Sequence, residues 1–478
     1  MRLIYLISLI FLSCSSHSTS QSIPEKIDSL ITQYNQLEQF NGVVLVAKNG
    51  QPILKKGYGK ANFEWDVDHQ VTGRFRIASV TKQFTAMLIL QLVEQRKINL
   101  NDKITDHIPE YRADTGKKIT IHQLLTHTSG LGNFFHLQDF KRIEAHNPYS
   151  VREFIKTLCS EDLLFEPGTQ FKYSNAGYTI LGHIIERVTK KTFEQILVEQ
   201  IFDPIGMLNS GFNGQSRFIT HRVNGYERTL AGVKPAPFID MSVPYSAGSI
   251  YSSVDDLLLW DRALANNTLL SPKFTNVMYT VSPHYNYAAG WLVSQLDSAK
   301  YGQPLTKLYH GGGIQGFNAH IARIPEDNVL IVLLNNTGGA PMTAITDNII
   351  NTLYGKPINP AQLRKNQALY KRLKEDGLEN AVTWYQQQVS QNNGLNERRL
   401  NQFGYELLEV NEFDAAIAFF KLNVEAHPQS ENVYDSLADA YIATSQYENA
   451  LIQFTKAQQL ASSKSKYATK INEIKNKL

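Results

Sequence analysis

Residues 80–95, V-T-K-Q-F-T-A-M-L-I-L-Q-L-V-E-Q, constrain the fold more than any other segment of the chain. Phe84, Met87, Leu88, Ile89, Leu90, Leu92 and Val93 leave the predicted helix apolar over most of its circumference. A surface helix carries one apolar stripe; a helix that is apolar nearly all round has to be buried. Other elements must therefore wrap it. Yet the stretch R-I-A-S-V-T-K-Q-F-T-A, residues 76–86, places Lys82 in its first turn. Burying a lysine charge is costly. Ser79 precedes Lys82 by three residues, so the two share a face. The pair is either a surface accident or chemistry.

The surroundings supply the wrapping. Residues 24–40 predict a helix, with Ile27, Leu30, Ile31, Tyr34 and Leu37 at helical spacing. G-V-V-L-V-A-K-N-G-Q-P-I-L-K-K-G-Y-G predicts a hairpin, because Asn49-Gly50 accepts the positive φ angles of a tight turn. Residues 75–77 predict a short strand running into Ser79. The region from about 100 to 300 reads mainly as helices and loops. Glu166-Pro167-Gly168-Thr169 fits a type II turn. It leads through Phe171 and Lys172, read as a strand, to Y-S-N at 173–175 and a helix over 176–190. Ser253-Val254-Asp255-Asp256 predicts a capping box. F-N-A-H-I-A-R-I-P-E-D-N-V-L-I-V-L-L-N-N predicts two strands around residues 325–328, and residues 341–354 a closing helix. Strands at both ends with helices between predict an α+β unit over 23–355, its sheet built from the two ends of the segment.

Beyond G-K-P-I-N-P at 355–360 the strand pattern stops. Phe403, Gly404, Leu407, Ala416 and Phe420 recur as Leu437, Ala438, Tyr441, Ala450 and Phe454, each pair 34 residues apart. That period and those residue types resemble the tetratricopeptide repeat. Ala381 and Tyr385 mark a weaker preceding unit. Residues 356–478 are thus expected to form an all-α repeat tail, either a docking module for a protein partner or a packing appendage.

The first fourteen residues, M-R-L-I-Y-L-I-S-L-I-F-L-S-C, have the pattern of a secretory leader and are too short an apolar run to span a membrane. Cys14 at the cleavage point resembles a lipoprotein acceptor. Residues 1–22 are therefore expected to be leader and tether. The protein is then expected in the periplasm or at the cell surface, lipid-anchored through Cys14, with a plain cleaved signal as the alternative. The remaining Cys159 has no partner for an internal disulfide and sits in an apolar context, so an inert buried thiol is expected. A net charge of +3 without a dense basic stripe gives no reason to expect a nucleic-acid partner.

A serine hydroxyl is a poor nucleophile until a base takes its proton. A lysine can do so when burial holds it neutral. Tyr173 can relay protons to a leaving group, and Asn175 can orient Lys82 or the substrate. H-G-G-G-I-Q-G-F at 310–317 reads as a loop directly before the last strand pair and brings glycines that permit close backbone approach. The amide of Gly313 can then face that of Ser79 as an oxyanion hole. Other chemistries lack their signatures: G-x-S-x-G, H-E-x-x-H, a P-loop and a dinucleotide fingerprint are all missing. His127, in L-L-T-H-T-S-G-L, reads as a loop-structuring residue rather than a triad base.

Taken together, S-x-x-K, Y-S-N and H-x-G in this order resemble the serine acyltransferases of the class C β-lactamase and penicillin-binding-protein family. The resemblance runs from about residue 40 to 354, and includes E-P-G-T-Q-F-K-Y-S-N-A-G-Y and Y-S-A-G-S-I-Y-S-S. It implies the β-lactamase/transpeptidase-like fold, an antiparallel sheet flanked by helices plus a helical region. It implies Ser79 as acylated nucleophile, Lys82 as base, Tyr173 as relay, Asn175 as positioning residue, and His310, Gly312 and Gly313 in the third motif. No metal or cofactor is implied. Class C β-lactamases carry Lys-Thr-Gly where this chain has His310-Gly311-Gly312, which argues against efficient β-lactam hydrolysis. The expected substrate is a small peptide or amide, including D-amino-acid or cell-wall peptides. The alternatives are a carboxylesterase and a binding protein that works through its repeats.

Overall fold

The computed structural model describes residues 21–136, 144–214, 218–283, 285–391 and 394–478. The leader and Cys14 lie outside the described residues. No helix among the described residues is long and apolar enough to cross a membrane.

Helix α1 (Ile23–Gln36) leads to strand β1 (Gly42–Lys48), which turns back at Asn49-Gly50 into β2 (Gln51–Tyr58). Both turn residues take positive φ, 52° and 68°, as the hairpin requires. The other strands of the main sheet come from the far end of the segment: β3 (Leu292–Leu296), β4 (Leu305–Ile314), β5 (Phe317–Ile324) and β6 (Val329–Asn335). The six strands lie in the order β3-β4-β5-β6-β1-β2, and every neighbouring pair is antiparallel. β1 and β6 meet in the centre, Gly42 opposite Asn335 and Lys48 opposite Val329.

Both faces of the sheet are covered, which explains why its central strands read as unbroken apolar runs. Val44, Val46, Ile331 and Leu333 face α1 and the closing helix, α5 below (Met342–Leu353). Val43, Leu45, Val332 and Leu334 face the larger core around helix α2 (Thr81–Glu94). That core also holds α3 (Asn175–Thr189) and α4 (Val254–Ala265). Every residue of α2 from Thr81 to Leu92 is buried. Several of its polar side chains bond the surrounding core, while Gln83 Nε2 and Gln91 Oε1 have no hydrogen-bond partner among the described residues. Thr85 donates to Ser246 O at 2.6 Å, Gln83 accepts from Trp260 Nε1 at 3.0 Å, and Thr81 accepts from Ile250 N at 3.1 Å. The buried helix is thus locked to the segment 245–250.

The middle of the chain is mainly helices and loops, to which short strands are added, including β3 and the hairpin Tyr226–Thr229 with Gly232–Pro235. Other expectations need correction. Phe171 and Lys172 are not in a strand. Ser253 caps α4 by accepting from Asp256 N, but the box is not reciprocal. The Asp256 carboxylate is diverted to Asn209 N and Ser210 Oγ, both at 2.7 Å.

Past the closing helix the described chain is helical: α6 (Lys365–Asp376), α7 (Leu378–Ser390), α8 (Glu397–Glu409), α9 (Phe413–Ala426), α10 (Glu431–Ala443), α11 (Tyr447–Leu460) and α12 (Ala468–Lys475). They share their own apolar cluster, which Leu230 of the 226–235 hairpin packs against. Lys234 of that hairpin pairs with Glu409 at 3.1 Å. All ten residues of the 34-residue register are buried. Gly404 is required where α8 meets α9, since a Cβ there would stand 2.5 Å from the Phe420 ring.

Candidate active site

The segment before Ser79 is held by a small sheet. Phe75 and Arg76 pair with Ser252 and Tyr251, and Ile77 N donates to Ile250 O at 3.0 Å. The chain then makes a tight turn over Ala78–Val80 before entering α2. Ala78 adopts φ 47°, a left-handed conformation that costs an alanine about 1–2 kcal/mol. That turn leaves Ser79 half-buried between two buried neighbours, so its hydroxyl reaches the surface of a packed core.

Lys82 is fully buried, 0% exposed. Its Nζ lies 3.1 Å from Ser79 Oγ, 2.7 Å from Asn175 Oδ1 and 2.8 Å from Ala247 O. The ammonium also sits 5.0 Å from the Tyr173 ring centre and 5.5 Å from that of Tyr178. Burial pushes its pKa well below the ordinary lysine value, with no carboxylate among the described residues to hold it up. The arrangement suits a neutral amine. Two N–H bonds go to the carbonyl oxygens of Asn175 and Ala247, which cannot donate. The lone pair is left for the Ser79 hydroxyl proton.

The Y-S-N turn is pinned to the loop carrying His127. Lys172 N donates to His127 O at 2.9 Å, and Ser174 N to His127 Nδ1 at 3.2 Å. Ser174 Oγ caps α3 by accepting from Gly177 N at 3.3 Å, and donates to Gly132 O at 2.7 Å. Asn175 opens α3, points its Oδ1 at Lys82, and donates through Nδ2 to Asn133 at 3.3 Å. Of its two expected roles, contact with Lys82 is the one the structure displays. The Tyr173 phenol hydrogen-bonds Ser79; burial raises its pKa and that bond partly offsets the rise. His127 is buried, its ring tilted against the Tyr173 ring at 4.3 Å and the Tyr287 ring at 4.5 Å between centres.

His310 to Gly313 lie inside strand β4, not in a loop before the last strand pair. β3 accompanies β4 only as far as Tyr309, opposite Leu292, so the outer edge of residues 310–314 is free of β3. Gly312 is where β4 meets the nucleophile's turn. A Cβ there would stand 2.2 Å from Ile77 O and 3.1 Å from Ser79 N. His310 is buried, with Nε2 3.0 Å from Tyr287 Oη and Nδ1 2.6 Å from Gly311 O. A carbonyl can only accept, so Nδ1 carries the proton and Nε2 accepts from Tyr287. Burial pushes its pKa down to about 3. His310 is therefore neutral, with both nitrogens committed to protein groups.

Three contributors were not singled out from the sequence. Ala247 supplies a carbonyl oxygen, within the Y-S-A-G stretch that resembles the family. Tyr178 donates to Leu125 O at 2.8 Å, and Tyr287 joins Tyr178 to His310. Neither tyrosine carries a sequence signal of its own. Cys159 is buried and free, its thiol pushed up by burial and the Glu161 charge. No group of three His, Cys, Asp or Glu among the described residues could hold a metal ion.

The antiparallel sheet, the buried helix that opens beside Ser79 and the glycine strand define a β-lactamase/transpeptidase-like fold. The family described as Beta-lactamase matches residues 27–355, and the chain belongs to it. The chain is 28% identical over 338 residues to Protein flp of Staphylococcus aureus (strain MW2), covering 68% of this chain and 65% of that protein. It thus spans somewhat under two thirds of that relative's length. A penicillin-binding protein from Bacillus halodurans superposes with TM-score 0.58 at 28% identity, covering 66% of this chain and 98% of that one. A D-amino acid amidase from Ochrobactrum anthropi SV3 shares the fold, with TM-score 0.60 at 22% identity over 70% of this chain and 98% of its own.

Proposed function

We propose that the protein hydrolyses small peptide or amide substrates, including D-amino-acid or cell-wall peptides, through an acyl-enzyme on Ser79. The observation that carries the reading is Lys82, fully buried and bonded to Ser79, Asn175 and Ala247. A lysine so placed contributes little as a charge and much as a base. Ser79 Oγ attacks the substrate carbonyl as its proton passes to Lys82 Nζ. The carbonyl oxygen gathers charge opposite the amides of Ser79 and Gly313. Tyr173, hydrogen-bonded to Ser79, relays the proton to the leaving nitrogen. Water then enters where the leaving group was, gives a proton back to the same pair, and releases the acid. Similarity to a penicillin-binding protein supports peptides as the substrate class.

His310 does not replace the lysine of Lys-Thr-Gly as a carboxylate anchor, since its nitrogens are already used; this supports weak β-lactam turnover. A leader and Cys14 lipidation would hold the hydrolase outside the cytoplasm. A tetratricopeptide-type tail would give it a protein partner. Turnover of D-alanine p-nitroanilides against p-nitrophenyl esters of equal length tests the reading. Higher kcat/KM on the anilides, relative to their uncatalysed rates, supports the peptidase or amidase. Turnover of the esters alone makes it a carboxylesterase.

A further inference from the structure

A cavity of about 250 Å³ opens where β4 turns into β5. Arg76, Arg222, Glu64, Phe238, Gln315 and Phe317 are among its walls. Arg76 lies three residues before Ser79, and Gln315 follows the glycine strand. The Arg76 guanidinium packs 5.8 Å from the centre of the Phe317 ring. Neither the Arg76 nor the Arg222 guanidinium has a hydrogen-bond or ion-pair partner among the described residues. The one carboxylate in the wall, Glu64, is engaged by the Tyr226 hydroxyl. Burial and the Arg222 charge push Arg76 down to about 10, still cationic at neutral pH. Two cationic groups thus face one cavity with a single carboxylate in its wall, and neither guanidinium is paired with that carboxylate. Arg76 is half-buried with one side of its guanidinium shielded by an aromatic ring, so its unpaired N–H groups are not solvated on all sides. A planar guanidinium fork in that setting matches a carboxylate.

The position of the cavity says which part of a substrate it meets. Along β4, His310 touches Tyr287 and lies 6.3 Å, ring to ring, from Tyr173. Tyr173 is the group bonded to Ser79, on the side where a leaving group takes its proton. Gly312 stands at Ser79 N. Gln315 and Phe317 lie beyond, in the opposite direction. An acyl chain laid along β4 away from Tyr173 therefore runs to the two arginines. Gln315 lies three residues along the chain from Gly312, just past the end of β4, about 10 Å at the strand rise, or about three extended residues of substrate.

We propose that Arg76 and Arg222 form a subsite for a carboxylate carried on the acyl part of the substrate, roughly 10 Å from the scissile carbonyl. The proposal rests on the acyl-enzyme reading of Ser79, and makes the preferred substrates acidic peptides or N-(carboxyacyl) amides. The test is a ladder of N-succinyl-(Gly)n-D-alanine amides, with none, one or two glycines, each matched to the neutral N-butyryl compound. Binding is measured by calorimetry on full-length Ser79→Ala. Turnover of the matching p-nitroanilides is measured on the unmodified protein, Arg222→Gln, Arg222→Glu and Arg76→Gln. The succinyl members should be preferred by roughly tenfold to a hundredfold, the range of a charge-assisted hydrogen bond, with the optimum near one glycine. The preference should shrink with added salt, fall towards unity in Arg222→Gln and Arg76→Gln, and reverse in Arg222→Glu.

Turnover without a charge preference overturns the subsite and leaves the hydrolase standing. So does a preference that survives all three arginine variants. Charge-selective binding to Ser79→Ala without turnover by the unmodified protein overturns the hydrolase and keeps the subsite. Neither binding nor turnover anywhere on the ladder overturns both.

Discussion

Replacing Gly312 by alanine puts the contact between β4 and the nucleophile's turn under direct strain. The added Cβ would stand 2.2 Å from Ile77 O, 3.1 Å from Ser79 N and 3.2 Å from Ala78 Cβ. Non-bonded carbon atoms settle near 3.5 Å or more, so the strand and the turn must part by over 1 Å. All three atoms struck belong to the segment that carries Ser79, and two are backbone, so no side chain can swing aside. A shift of about 1 Å in a reacting geometry costs on the order of a hundredfold in rate. Loss of one oxyanion donor costs roughly 10²–10³. Overpacking should lower stability by only about 1–3 kcal/mol, leaving a folded protein. The neighbouring Gly311→Ala is the comparison, because a Cβ there meets only His320 Nδ1 at 3.6 Å, an ordinary contact. The assay is the second-order rate of Ser79 labelling by a fluorophosphonate, read by intact mass, with thermal unfolding in parallel. Gly312→Ala should be labelled at least about a hundredfold more slowly, and Gly311→Ala at close to the normal rate. Equal labelling of the two variants would refute the claim that this close approach builds the site.

Tyr173→Phe keeps the ring against His127 and removes the phenol from Ser79. Turnover should fall by roughly 10²–10⁴ with an unchanged melting temperature, and a smaller loss would remove Tyr173 from the proton path. His69 is buried between Asn41 and Asn336, and burial pushes its pKa down to about 4. The unfolded imidazole takes its proton near 6.5, so the stability it contributes is complete above that pH and is lost as pH falls through 4. The loss approaches about 3 kcal/mol. His310 and His320, both pushed down to about 3, act in the same direction. Denaturant midpoints at pH 7, 5.5 and 4 check this, and a flat series would contradict it. Gly404→Ala drives a methyl into the Phe420 ring. It should destabilise the helical tail by about 1–3 kcal/mol while fluorophosphonate labelling of Ser79 keeps its rate; limited proteolysis and mass spectrometry read both.

The features legible in the sequence were those set by local chemistry. Asn49-Gly50 fixes its hairpin, the turn at Gly168 takes φ 91°, and the apolar girdle of α2 forces burial. Features fixed by distant partners were not. Glycines 311 to 313 have poor strand propensity, and they lie in β4 because β5 pairs with them, Gly311 to His320 and Gly313 to Asn318. β3 is a half-exposed edge strand, L-V-S-Q-L, whose pattern is weak without its neighbour. Asp256 serves Asn209 and Ser210 across the fold instead of its own helix start. In the site, Ser79, Lys82 and the Y-S-N turn were recognisable because their types and order resemble a family. The acceptor role of Ala247 is a matter of backbone placement. Nothing in N-Y-A-A-G-W marks Tyr287 as the partner of His310.

The central claim is that Lys82 makes Ser79 a nucleophile, and intact mass after exposure to a fluorophosphonate tests it most directly. The unmodified protein should gain one adduct, faster as pH rises while Lys82 loses its proton. Ser79→Ala should gain none, and Lys82→Ala should gain it slower by roughly 10²–10⁴. Parallel exposure to a labelled penicillin reports whether cell-wall peptide mimics reach the same serine. An unmodified protein that stays unlabelled, or a Ser79→Ala variant that is labelled equally, would contradict the account.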